Sequence, residues 1–181
     1  MEAAFKEWNV VVDALGRGDQ IVIMRKGGID EGENGFEIKH KQFWLFPTRF
    51  HQQKEFVIPA AADYVNISPN HEMMPIQYHC EVMAHIELTS LDQIDRIQGQ
   101  HIWKDEVLIQ RMTSGECHQL HALLVRTSML AEPVMIPNRS EYGGCKSWIE
   151  LRESFDANHL KPVLDDPSFE KKLQKFKESI Q

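Results

Sequence analysis

The sequence predicts an α+β fold: a single compact domain over residues 1–181, with a mixed or antiparallel sheet flanked by helices and a C-terminal amphipathic helix. Three observations carry this expectation. A chain of 181 residues suits one domain and can bury about 70% of the surface it exposes when unfolded. Stretches of strand-like alternation are mixed along the chain with stretches of helical periodicity. The last turn signal, Asp166-Pro167, opens a clear amphipathic stripe.

Phe5, Trp8, Val12 and Leu15 recur at intervals of three and four and predict an opening helix, against the preference of the β-branched run Val10–Val12. Gly16 and Gly18 stop it, and Asp19 begins a turn. Gln20–Met24 reads as a buried strand that runs into Arg25-Lys26-Gly27-Gly28, followed by an exposed loop over 31–35. Phe36, Ile38 and His40 alternate with polar residues, as in a half-buried strand. Phe43-Trp44-Leu45-Phe46 is a short buried segment broken by Pro47. Residues 58–75 hold three prolines and read as a long loop with a short helix inside it.

Gln77–Leu88 is extended, with Tyr78, Cys80, Val82 and Ala84 on one face. Ser90 and Gln93 make a capping box for a helix that turns Leu91, Ile94 and Ile97 inward and ends at Gly99. Trp103, Val107 and Met112 predict a further helix over 103–112, and Leu120–Arg126 a strand. In the last helix Asp166 is the expected N-cap and Pro167 the first helical residue. Phe169, Leu173, Phe176 and Ile180 form its apolar stripe, against a solvated face of Lys171, Lys172, Lys175 and Lys177.

The formal charge of −7 excludes a uniformly basic nucleic-acid footprint but leaves room for a local basic patch. Cys80, Cys117 and Cys145 are sparse, odd in number and without C-x-x-C spacing, which predicts reduced thiols. Charged residues at positions 2, 6 and 7 stand where a signal peptide needs an apolar run. No apolar run is long enough to cross a bilayer. A cytoplasmic location with no membrane partner is expected.

Three polar constellations carry the chemistry. Arg25 and Lys26 precede Gly27-Gly28, a turn whose backbone N–H groups are suited to an anion, with a planar fork and a point charge beside it. The alternative is a plain hairpin turn with solvated cations. Thr48-Arg49-Phe50-His51-Gln52 follows the aromatic run. There Arg49 and Gln52 are candidate ligand contacts and His51 a candidate acid or base. Gly143-Gly144-Cys145-Lys146 again sets two glycines beside a cation; Cys145 would be a candidate nucleophile if it began a helix beside Lys146, and is otherwise a small buried hydrophobe. No cofactor is specified. Metal ligation is not assigned: Cys117-His118 with His121, His79-Cys80 with His85, and Asp30 with Glu37 and Lys39 all lack a second signature.

Lys6-Glu7-Trp8, Arg25-Lys26-Gly27-Gly28-Ile29, Phe43-x-Leu45-x-Pro47-Thr48, His51-Gln52, Gly143-Gly144-Cys145-x-Ser147-Trp148 and Pro162-Val163-Leu164-x-Asp166 follow one another in order. Together they resemble the bacterial family of domain of unknown function 1802 over nearly the whole chain. Some members of that family are associated with a restriction-type nuclease domain, which this sequence does not show, so the resemblance implies at most a link to nucleic-acid processing or defence.

Three functions follow as expectations. The first is binding of an anionic ligand, phosphate or nucleic acid, by Arg25, Lys26, Gly27, Gly28, Arg49, Gln52, Gly143, Gly144 and Lys146. The second is hydrolysis of nucleic acid with His51 as the catalytic acid/base. The third is a non-catalytic interaction domain acting beside a protein partner.

Overall fold

A computed structural model describes residues 1–26, 36–48, 53–62, 72–115 and 118–181. The chain opens as a strand, β1 (Glu2–Trp8), which turns at once into α1 (Asn9–Gly16). This corrects the expected opening helix. β1 lies inside the sheet, parallel to β3 (Gln42–Thr48) on one side and antiparallel to β6 (Trp148–Leu151) on the other. Ladder bonds on both edges override a helical spacing that only four apolar residues supported.

The remaining elements are β2 (Val22–Arg25), α2 (Gln53–Phe56), α3 (Pro59–Ala62), β4 (Met73–Leu88), α4 (Leu91–Arg96), α5 (Asp105–Thr113), β5 (Leu120–Pro137), β7 (Lys161–Pro162) and α6 (Asp166–Ser179). Among the described residues the strands form one mixed sheet in the order β2-β5-β4-β3-β1-β6, with β7 on β5. The fold class is therefore α+β, as the sequence predicts.

Strand alternation divides the apolar residues between two cores. Phe5, Phe43, Leu45, Cys80 and Trp148 face a core shared with α1, α4, α5 and α6. Ala4, Trp44, Phe46, Ile149 and Leu151 face a second one, closed by Tyr142, Phe155 and Leu160. The unbroken run Phe43–Phe46 is thus a strand buried on both faces, and Pro47 continues it.

β4 and β5 are much longer than their sequence signals, 16 and 18 residues. Their pairing shifts register between Ile76 and Tyr78 and again between Val82 and Ala84. The described part of the 58–75 segment is α3 and the first residues of β4. Residues 36–40 form no strand. The capping box stands as expected, with Gln93 N donating to Ser90 Oγ and the Gln93 amide accepting from Ser90 N. In α6 the N-cap is Asp165, whose carboxylate accepts from Ser168 N, so Asp166 is the first helical residue and Pro167 the second.

Candidate functional site

The end of β1 organises the polar residues. Lys6 N donates to Ser147 O at 2.8 Å, which fastens the turn before β6 alongside β1. The Lys6 ammonium donates to Gly144 O at 2.7 Å. Gly144 has φ of +80°, a conformation that suits glycine. Gly143 N–H is taken up by Ser140 O at 3.0 Å. The turn therefore offers Lys6 an acceptor, and side chains rather than a nest of amides supply positive charge here. Cys145 is exposed, between a 3-10 turn and β6, and does not begin a helix.

Burial lowers the Lys6 pKa from its ordinary value of 10.5, and Lys146 lowers it further; Cys145 opposes this, and Arg25 adds a smaller push in the same direction. Lys146 itself is exposed. It lines an open groove of 470 Å³ with Lys39, His40, Trp148 and Arg152. The ring of His40 meets the Trp148 ring edge to face, with centroids 5.4 Å apart. Two acids, Glu141 and Glu150, also line the groove, and Glu141 is paired with Arg152 at 2.6 Å.

On the other face of β1 lies a buried carboxylate, Glu7, 2% exposed. Its Oε1 accepts from Trp8 N at 2.7 Å, while Arg25 lies 3.5 Å from Oε2. Arg25 also donates to Lys6 O and stacks over the Phe5 ring, 4.5 Å from its centroid. Arg111 from α5 sits over both Trp8 and Trp103, at 5.1 and 4.1 Å. Burial lowers the Arg111 pKa, Glu7 raises it, and Arg25 lowers it again. Lys26 reaches Met112 O at 2.9 Å, and Thr48 Oγ1 donates to Glu7 O at 3.0 Å.

Of the residues expected from sequence, Arg25, Lys26, Gly143, Gly144 and Lys146 are described, and Arg25, Gly144 and Lys146 gather around Lys6. Gly27, Gly28, Arg49, His51 and Gln52 lie outside the described residues, as do Asp30 and Cys117. Lys6, Glu7 and Arg111 were missed as site residues. Lys6 and Glu7 stand in the first motif of the family resemblance, which was the available signal; nothing local marks Arg111.

The family model described as domain of unknown function (DUF1802) matches residues 4–175. The chain belongs to the DUF1802 family. No curated protein sequence matches it significantly. This DUF1802 domain has the fold of a crystal structure of ASCH from Zymomonas mobilis, with a TM-score of 0.50 over 98% of this chain and 94% of that one, at 12% identity. Two variants of that protein give TM-scores of 0.49 and 0.47 at 14% and 13% identity, each covering 96% of this chain and 96% and 94% of theirs. At such identity the likeness is one of fold. Among the described residues, no helix is long and apolar enough to cross a membrane.

Proposed function

We propose that this DUF1802 domain binds an anionic ligand, the phosphates of a nucleic-acid strand, through Lys146, Lys39 and His40, which line the groove, with Lys6 beside them at the end of β1. The observation that carries the reading is the groove itself, which sets the exposed Lys146 beside Lys39, His40 and Arg152. Lys6 stands close by, its charge disfavoured first by burial and then by Lys146. Like charges gathered this way in a chain of net charge −7 are a binding-site signature, because an incoming anion relieves the repulsion. The exposed His40 ring, held edge to face against the buried Trp148, adds an aromatic face on which a base can stack. Arg25, engaged by Lys6 O and Glu7, buttresses the strand that carries Lys6.

Thermal melting with phosphate, nucleotides and short RNA and DNA tests this reading on the wild type, on Lys146→Ala and on Lys172→Ala. Lys146 is exposed, so its variant folds. A ligand at 100 times its Kd adds about 2.7 kcal/mol, or roughly 5–10 °C for a domain of this size. The expected result is a shift with the oligonucleotide that weakens with salt, shrinks in Lys146→Ala and survives in Lys172→Ala. A midpoint that stays flat across the panel removes the reading.

A further inference from the structure

A second cluster lies away from the groove, where β4 crosses β5. His85 and Glu87 are two residues apart on β4 and share one face. The pairing register sets Glu87 directly opposite His121 of β5. The bulge between Val82 and Ala84 makes this so: Val82 pairs with Val125, but Ala84 pairs with Leu124. Had the Val82–Val125 register continued unshifted, Ile86 would lie opposite His121, and His85 and Glu87 would both point to the other side of the sheet.

One donor atom from each of the three side chains lies within 4.8 Å of the other two. His85 Nε2 and His121 Nδ1 are 3.0 Å apart. Two nitrogens bound to one tetrahedral ion at about 2.1 Å sit roughly 3.4 Å apart, so this hydrogen-bonded imidazole pair needs to open only slightly to reach the bite of a metal site. His121 is 3% exposed and lies against Phe36, with ring centroids 5.5 Å apart. Its Nε2 is 3.4 Å from the Gln119 amide. With Nδ1 on a metal, Nε2 carries the proton, and a flipped Gln119 amide accepts it, the outer partner a ligating histidine needs. Glu87 is exposed, so its carboxylate swings inward without opening the core.

We propose that His85, Glu87 and His121 bind one first-row divalent cation. Two imidazoles and a carboxylate favour zinc, manganese or iron(II) over magnesium or calcium, and the solvent side leaves a coordination position for water. The site does not depend on anion binding at Lys6 and Lys146.

The test is titration of the full chain, stripped of metal with chelator, with Zn²⁺ in a calorimeter. Cobalt(II) absorption gives an independent view of the ligand set. One equivalent is expected to bind. His85→Ala and Glu87→Gln, both at exposed positions, should weaken binding by at least about 10-fold, the lower bound for loss of a ligand's outer partner. His159→Ala, another exposed histidine, should bind as the wild type does. Absence of saturable binding overturns the site, and so does a Zn²⁺ affinity unchanged in His85→Ala and Glu87→Gln.

Discussion

Arg25 and Arg126 make the same set of contacts in two parts of the molecule. Arg25 stacks on Phe5 at 4.5 Å, donates to Lys6 O and faces Glu7. Arg126 stacks on Phe169 at 4.8 Å, donates to Leu164 O and faces Asp166. The two side chains are equally buried, 21% and 20% exposed. Their carboxylates are not: Glu7 is 2% exposed and Asp166 86%. One contact therefore docks α6 in high dielectric, where an ion pair contributes little. The other sits where charge is weakly screened, and a single buried carboxylate faces Arg25 and also acts on Arg111. Identical chemistry serves packing in one place and fixes the electrostatics of a candidate site in the other.

Removing the carboxylates breaks the comparison most sharply. Glu7→Ala leaves Arg25 and Arg111 without their counter-charge and should cost about 3–5 kcal/mol. Asp166→Ala should cost about 0–1 kcal/mol. Urea denaturation of both variants at low and moderate salt measures the difference. Equal losses would mean that carboxylate burial does not separate the two regions.

A gentler pair keeps the charge and changes its shape. Arg25→Lys removes the planar fork that spans Lys6 O, Glu7 and the Phe5 ring, and should cost about 2 kcal/mol. Arg126→Lys should cost about 0.5–1 kcal/mol, the worth of its stack on Phe169, since its ion pair counts for little. If the order reverses in paired melts, Arg126 rather than Arg25 is the keystone.

The two regions also differ in how much the sequence reveals. Around Arg126 nearly everything is local: the Phe169, Leu173, Phe176 stripe and the Asp165 to Pro167 start lie within one helix, and periodicity finds them one residue out at the cap. Around Arg25 the partners come from β1, β2, β3 and α5. The strand that gathers them carries helical spacing, because three- and four-residue intervals are ambiguous in a segment with both sheet faces partly buried. The motifs Lys6-Glu7-Trp8 and Gly143-Gly144-Cys145 were visible, but their meeting depends on β1–β6 pairing, which no local pattern encodes. The His85, Glu87 and His121 cluster is hidden for a sharper reason: a register shift between Val82 and Ala84 decides which residues of β4 share a face with His121.

The smallest effect sharpens the comparison at Lys6. Its pKa is lowered in the folded chain by burial, then by Lys146. The folded state thus binds fewer protons than the unfolded one between the lowered pKa and 10.5. The group therefore destabilises the folded chain most below the lowered pKa, where both states are protonated, and that penalty is relieved as pH climbs across the alkaline window. Tyr78 works against it, because burial raises its pKa from 10.0 and the folded state then holds its proton longer. The informative quantity is therefore the difference between the wild type and Lys6→Met, with Tyr78 common to both. Relative to the variant, the wild type should gain stability with rising pH, and the gain should flatten when an anion saturates the groove and holds the ammonium charged. Melting curves across the alkaline range, with and without oligonucleotide, read both terms. A difference that is flat with pH would leave Lys6 as a solvated lysine, equivalent to those on the outer face of α6.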